Sequence, residues 1–570
     1  MPPAAPRHSS LPLAIAIASC CVALSAAHGA ADYAGELATL RESARGVIAR
    51  GELSGVSIAL IDDQSVVFVE GFGFADKKRK IPSAADTVYR CGSISKLFTA
   101  TATMQLAEQG RLDIDKPVQT WLPSFSIIDP FPGKAPVTLR QLMAHRSGLV
   151  REAPIGGYLD PNEPTPEATV ASLASCVRVH PPGVITKYSN SGVTVVGQTT
   201  AAVAGISFAD YQHANVLGPL GMNSSGWVLD KNLKRRFAIG YLPVADGKGG
   251  FNEIPTPRFE LGTVPAGNLY TTCEDLSRFV RCLFANGRIE DGRLLKPETI
   301  EQMFTPQLTT NASGFGHGFS VGKYRGRKSV SHSGAVYGFS SSLVALPNEK
   351  LAAIVLANDD VAMGPVRRLS NDALNLLLAV KLGEAKPKPT PTFKADLAFL
   401  RSCAGHYESE SYWAEITVAD GGNGLLINMS GQRLNLRPVG KKSFQASGRV
   451  AHRTSANFTT NKAGRATGFG LFGRTFVRAT APVDAEIPES WKKFLGSYGA
   501  DFVPLIVTAR HGHLYAMTEN FFDYRLTPMN GSVFKMPPGM YVNEELVFQA
   551  DARGRIHSAV LANMSLKRTR

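Results

Sequence analysis

The stretch Cys91-Gly92-Ser93-Ile94-Ser95-Lys96-Leu97-Phe98-Thr99-Ala100 places a hydroxyl three residues ahead of an amine. Ile94, Leu97, Phe98, Thr101 and Met104 recur at helical spacing and the run stops at Gly110, so Ser93 and Lys96 share one face of a helix at its first turn. An amine beside a hydroxyl can take its proton and so activate it as a nucleophile. The spacing alone is a weak signal, because Ser490/Lys493 and Ser532/Lys535 repeat it with no long amphipathic helix behind them. Two further stretches supply what chemistry on Ser93 would need. Lys187-Tyr188-Ser189-Asn190 follows Pro181-Pro182-Gly183, a turn that presents a phenol and an amide on a loop. A phenol near the Lys96 ammonium would have its pKa lowered and could act as base for Ser93 and acid for a leaving group, while Asn190 could hold a substrate amide. Ser331-His332-Ser333-Gly334-Ala335 lies on a strand-like segment whose glycine lets a ligand approach the backbone, so the N–H groups of Ser93 and Ala335 could form an oxyanion hole.

The elements that must position these residues are readable at low resolution. Residues 33 to 50 form an amphipathic pattern through Leu37, Leu40, Val47 and Ile48. Two strand-like runs, Val56 to Ile61 and Val66 to Glu70, flank the turn Asp62-Asp63-Gln64. Three more, near 328–332, 338–346 and 351–357, lead to a last helix from about Val366 to Leu382. Strands at both ends with helices between them predict one α/β (α+β) domain over residues 31–383, its antiparallel sheet built from both termini and flanked by helices. The Pro-rich segment 384–392 reads as a stiff linker. Beyond it the texture changes to short alternating strands that repeat at an offset of about 90 residues. Gly405-His406-Tyr407 answers Gly496-Ser497-Tyr498, and Leu436-Arg437-Pro438 answers Leu526-Thr527-Pro528. Each unit, 393–482 and 483–570, is long enough for a small antiparallel β-barrel.

Composition sets the frame for these readings. The chain has 570 residues, 44% hydrophobic and 19% charged, enough for several domains with ample cores. Its net charge of +14 suits a cell-wall or membrane surface, but the cations are scattered. The densest run, Lys77-Lys78-Arg79-Lys80, reads as a solvated turn rather than a nucleic-acid patch. Residues 1–30 have the layout of a signal peptide, with Arg7 and His8 before an apolar run from Leu11 to Ala27, so export to the periplasm or medium is expected. Ile17-Ala18-Ser19-Cys20 resembles a lipoprotein box, the lesser reading of the same segment. Five cysteines remain after it, without Cys-x-x-Cys pairs, which argues against a disulfide framework and against zinc. Cys91 reads as a small packing residue.

Ser-x-x-Lys on a helix, Tyr-x-Asn on a loop and His-x-Gly on a strand, in that order, resemble the serine β-lactamase and penicillin-recognising hydrolase superfamily, most nearly its class C branch. The phrases GFGFADKKRKIPSAADTVYRCGSISKLFTA, LRQLMAHRSGL, PPGVITKYSNSGVTVVG, PAGNLYTTCEDLSRF and HSGAVYGFSSSLVALPNEKLAAIVLAN agree with it across roughly residues 33 to 382. The resemblance implies the β-lactamase/transpeptidase fold and an acyl-enzyme mechanism on Ser93, with Lys96 and Tyr188 sharing proton transfer. It further implies that Asn190, His332, Gly334 and Ala335 position substrate, with His145 and Gly148 structural. No metal or organic cofactor is implied.

One departure narrows the reading. His332-Ser333-Gly334 stands where β-lactamases and carboxypeptidases of the superfamily carry Lys-Thr-Gly. A histidine with an ordinary pKa of about 6.5 is mostly neutral at pH 7 and a poorer carboxylate anchor. The change favours D-aminopeptidases and esterases with His-x-Gly over β-lactamases and D,D-carboxypeptidases. The D-aminopeptidase relatives share the three-part plan of one hydrolase domain and two small, lipocalin-like barrels. In them a loop of the last barrel reaches the cleft and recognises the substrate amine. The matching stretch here, Glu519 to Tyr524, offers Glu519 and Asp523 for that role. The expected partner is thus a small peptide, amide or ester. A non-enzymatic alternative is a cell-wall-binding protein with a vestigial hydrolase domain.

Overall fold

The computed structural model describes Met1 and residues 32–131, 133, 135–245, 251–388 and 390–569. The apolar N-terminal run and Cys20 lie outside the described residues. An eight-stranded sheet organises the first domain. From one edge its strands are Gly314–Phe315, Ser320–Tyr324, Arg327–Val336, Phe339–Leu346, Leu351–Ala357, Gly55–Asp62, Ser65–Asp76 and Ile81–Pro82. The two ends of the domain meet inside it, with Val56 opposite Ala357 and Asp62 opposite Leu351 in an antiparallel pair. Gly55–Asp62 and Leu351–Ala357 are buried almost throughout, as expected of central strands covered on both faces.

Two helices cover one face of the sheet. Ala34–Ala49 and Met363–Leu382 bury Leu37, Leu40 and Val47 with Leu369, Leu374 and Leu377 against Ile58 and Leu60. The other face carries the helical body, in which Ser95–Glu108 packs Phe98 against Phe279 with ring centroids 4.4 Å apart. Two elements run longer than their sequence pattern. The strand bearing His332 continues to Val336, and the last helix starts at Met363.

Beyond the linker, the helix Leu397–Cys403 precedes a closed antiparallel barrel of eight strands from Gly405 to Arg478. The final unit repeats the antiparallel strand plan with a seam in its ladder. Its strands form one sheet of four, ending at Arg525, and one of five, starting at Thr527. The strand that answers Gln432–Pro438 is interrupted at Leu526, yet the Leu526 N–H still bonds the Leu514 carbonyl (2.8 Å), in register with Tyr515 opposite Arg525. At the far side the two sheets meet around the Tyr498–Arg568 bridge, where the Gly499 N–H donates to the Lys567 carbonyl and the Thr569 N–H to the Ser497 carbonyl, both at 2.8 Å. The repeat itself persists in detail: Tyr407 donates to the Cys403 carbonyl at 2.7 Å and Tyr498 to the Phe494 carbonyl at 2.8 Å.

The final unit docks on the first domain through a buried charge. Lys187 and Glu544 form an ion pair whose side chains are each 1% exposed. Lys187 Nζ also donates to the Val542 carbonyl (3.1 Å), and Glu544 Oε1 accepts the Arg151 N–H (3.1 Å). Removing one member leaves the other charge desolvated and unpaired, which costs about 3–5 kcal/mol. Glu544→Ala should therefore destabilise the chain by about that amount in urea denaturation, and Lys187→Met with Glu544→Leu should recover most of it.

Candidate active site

Ser93 sits in a short 3-10 turn, Gly92–Ile94, that runs directly into the Ser95–Glu108 helix. Gly92 holds φ +54°, and a Cβ there would lie 2.9 Å from the Ala335 nitrogen. A Cβ on Gly334 would lie 2.0 Å from the Cys91 carbonyl oxygen. These two glycines let the Arg327–Val336 strand close on the nucleophile turn and bring the Ala335 N–H beside Ser93. Cys91 is a packing group, its thiol pushed up to about 12 by burial. Its carbonyl accepts from Ser341 Oγ at 2.8 Å.

Lys96 is 1% exposed, and its Nζ lies 3.0 Å from Ser93 Oγ, 2.7 Å from Asn190 Oδ1 and 2.7 Å from the Ala266 carbonyl oxygen. Burial moves its pKa well below the ordinary lysine range. A neutral amine has two N–H bonds to give, and two of its three neighbours are pure acceptors. Its lone pair is then left facing the one neighbour that can donate, the Ser93 hydroxyl.

Tyr188 corrects an expectation. Its pKa is raised rather than lowered, because burial outweighs the hydrogen bond with Ser93 that favours the phenolate. The Lys96 nitrogen lies over the ring, 4.9 Å from its centroid, and burial drives it toward the neutral amine, which has no charge to favour a phenolate. The resting pair is thus a phenol and a low-pKa amine. His145 fixes the tyrosine from behind: its carbonyl accepts the Lys187 N–H (2.8 Å), its Nδ1 accepts the Ser189 N–H (3.2 Å), and its ring stacks on Tyr188 at 4.1 Å. Ser189 caps the Asn190–Ala204 helix, which makes Asn190 its first residue.

Two residues that sequence reasoning passed over complete the frame. Asn190 Nδ2 donates to Glu152 Oε1 at 2.5 Å, which turns the amide oxygen toward Lys96. Glu152 is fully buried and pushed up to about 7 by that burial, with the Arg151 charge opposing the shift. Arg151 Nε lies 3.4 Å from Glu152 Oε1, and its guanidinium lies over the ring of Tyr188 at 5.3 Å and of Tyr541 at 6.0 Å. Arg151 and Glu152 follow the phrase LRQLMAHRSGL almost directly, but adjacency was their only sequence signal.

A cavity of about 790 Å³ opens over Ser93, Tyr188, His332, Arg151 and Glu519. The tail thus reaches the site, and it does so through Glu519 and not Asp523. Asp523 accepts from Trp413 Nε1 (2.9 Å) at the seam with the first barrel, so the structure withdraws it from amine recognition. Glu519 accepts from the Tyr541 hydroxyl at 2.8 Å. Glu152 Oε2 and Glu519 Oε2 are buried without hydrogen-bond partners among the described residues. His332 donates from Nδ1 to the Ser333 carbonyl (2.6 Å), and burial with the Lys96 charge pushes it down to about 3. It is a neutral acceptor at any physiological pH.

Sheet, helical body, buried Ser-Lys-Tyr cluster and a strand N–H beside the serine define a serine-hydrolase domain of the penicillin-recognising kind. The family described as Beta-lactamase matches residues 40–376, and the chain belongs to it. Penicillin-binding protein 4 of Amycolatopsis lactamdurans is 28% identical over 60% of this chain and 92% of its own. The octameric penicillin-binding protein homologue from Pyrococcus abyssi shares the fold with a TM-score of 0.54 at 24% identity, over 78% of this chain and 100% of that one. The D-amino acid amidase from Ochrobactrum anthropi SV3, complexed with D-phenylalanine, has a TM-score of 0.52 at 25% identity, over 61% and 100%.

If the Lys96 amine is the base, kcat/KM rises with pH through its depressed pKa. Because His332 titrates at about 3, His332→Gln should leave the midpoint of that acid limb unmoved between pH 5 and 9. Lys96→Arg, which cannot surrender its proton, should lower kcat on a p-nitrophenyl ester by about 10³-fold or more.

Proposed function

We propose that this chain is an exported serine hydrolase of the D-aminopeptidase type, cleaving the first amide bond of substrates with a free N-terminal amine. The observation that carries the reading is the pair of buried, unpartnered carboxylate oxygens on Glu519, which lines the cavity with Ser93, and on Glu152, which lies behind it against Asn190 and Arg151. An ammonium supplies the donors and the charge that two buried acids sharing one arginine lack. The likeness to the D-amino acid amidase supports the D-configuration.

In this mechanism the Lys96 amine takes the Ser93 proton as Oγ attacks the scissile carbonyl carbon. The Ser93 and Ala335 N–H groups hold the resulting oxyanion. Tyr188 gives its proton to the leaving nitrogen as the C–N bond breaks, and the Lys96 ammonium returns a proton to the phenolate. The second Asn190 amide hydrogen orients the acyl group. Water then attacks the acyl-Ser93 carbonyl, loses its proton to the Lys96 amine, and Ser93 leaves reprotonated. Neutral, buried His332 has no charge to anchor a penicillin or D-alanine carboxylate, which disfavours the β-lactamase and carboxypeptidase alternatives.

The test is nitroaniline release from D-alanine p-nitroanilide beside its N-acetyl form. Wild type should turn over the free amine at least about 10²-fold faster, and Ser93→Ala should be inactive. Glu519→Gln should raise KM about tenfold or more, the loss of one charged hydrogen bond. Equal rates on the acetylated anilide would defeat amine recognition. Hydrolysis of p-nitrophenyl acetate with no anilide turnover would establish the esterase instead.

A further inference from the structure

The cavity over Ser93 does not end at the catalytic side chains. Along Arg327–Val336 alternate residues face opposite sides of the sheet, so His332 and Gly334 face Ser93 while Ser331 and Ser333 face the side of the last helix. Pairing with Ser320–Tyr324 stops at Ser331, which leaves residues 332–336 as a free edge. The cavity passes around that edge into a second arm lined by Ser333, Ser342, Ser370, Asn371 and Arg367. Ser342 stands opposite Ser333 in the ladder, and its Oγ lies 3.3 Å from Ser370 Oγ on the last helix. The first barrel closes this arm, since Gly364 donates its N–H to the Arg449 carbonyl (2.6 Å) and seats Val450 beside Met363.

Two arginines line the whole cavity. Arg151 is taken by Glu152, whereas Arg367 has no hydrogen bond, ion pair or ring contact among the described residues. The acids nearest in the fold are engaged elsewhere. Asp360 accepts the Gly338 and Val361 N–H groups, Glu52 pairs with Arg368, and Asp372 accepts from Ser43. Burial first, then the charges of Arg453 and Arg368 and more weakly Arg367, hold His452 down at about 4 against the opposing Glu52, so three arginines gather at this corner. An unpaired guanidinium among hydroxyls, in the cavity of a nucleophile, calls for a carboxylate.

We propose that Arg367 binds a carboxylate on the leaving group, so that the preferred substrates are short peptides held at both ends. This rests on the aminopeptidase reading for the amine end, at Glu152 and Glu519. The leaving residue then lies past the Ser333 edge, its side chain against Met363 and Val450 and its C-terminal carboxylate on Arg367. His332, neutral and already bonded to its own strand, leaves that anchoring to the helix on the other face of the sheet. A volume of about 790 Å³ suits a di- or tripeptide.

The test compares D-alanyl-leucine with D-alanyl-leucinamide in the full-length protein. Wild type should favour the dipeptide by about tenfold or more in kcat/KM, Arg367→Gln should bring the ratio to near one, and Arg367→Lys should restore part of it. A ratio near one in wild type, or a ratio that Arg367→Gln leaves intact, overturns the proposal. A second arm uses 3-carboxyphenyl acetate and phenyl acetate, each normalised to its spontaneous hydrolysis. If peptides with free amines are not cleaved but the carboxylated ester is favoured and Arg367→Gln removes the preference, the aminopeptidase reading fails and the Arg367 subsite stands.

Discussion

The structure turns on a lysine nitrogen kept out of water. An ammonium in an apolar interior is costly, and the interior answers by lowering the pKa of Lys96 until the free amine becomes the accessible state. The same burial would scatter the amine among orientations if it lacked acceptors. The carbonyls of Asn190 and Ala266 take its two hydrogens and leave the lone pair for Ser93. Much else follows from that demand. The 3-10 turn places Ser93 one step ahead of the helix, Gly92 and Gly334 let the strand come close, and Ser189 starts a helix so that Asn190 points inward.

The amide of Asn190 can face either way unless something chooses, and Glu152 chooses by accepting from its nitrogen. Glu152 is itself an expensive group, tolerable because Arg151 lies against it. Arg151 in turn reaches Tyr541 of the final unit, and its N–H is held by Glu544. The chain of dependence that starts at Lys96 therefore ends at Tyr541 and Glu544, about 450 positions away. Lys187, one residue before the tyrosine, closes the same circuit on Glu544. The final unit is part of the wall that fixes the Tyr188 and Arg151 loops.

Periodicity and turn chemistry made the first domain legible. The Ser93 helix, the paired terminal strands and the last helix all carry long hydrophobic patterns, which report burial directly. Three things were not legible, each for a physical reason. Tyr188 turns its ring to Lys96 while its hydroxyl meets Ser93, and desolvation decides its pKa, which has no trace in spacing. Arg151 and Glu152 look like an ordinary solvated pair until the tail covers them, a contact between residues distant in sequence. Asp523 and Glu519 are four residues apart, yet one faces Trp413 of the first barrel and the other the cavity. The final unit was legible from its repeat, and the interruption at Leu526 divides its strands into two sheets while the Leu526–Leu514 bond keeps the register across it.

Burial drives Lys96, Tyr188, His332 and His145 toward their neutral forms, and Glu152 to about 7. The resting serine thus has no permanent ion pair beside it. Among Ser93, Lys96, Tyr188 and the scissile carbonyl, charge would then first form in the reaction itself, as an oxyanion on one side and the Lys96 ammonium on the other. In an interior of low dielectric, two backbone N–H groups act on that new charge far more strongly than they act on the neutral carbonyl before it. The energetic advantage falls on the transition state because the ground state is uncharged there. A permanent cation at position 332 would bind an anionic substrate in its ground state, and burial of a neutral histidine avoids that at the serine. The unpaired arginine stands instead on the opposite face of the sheet, where it can bind without altering the electrostatics of the attack.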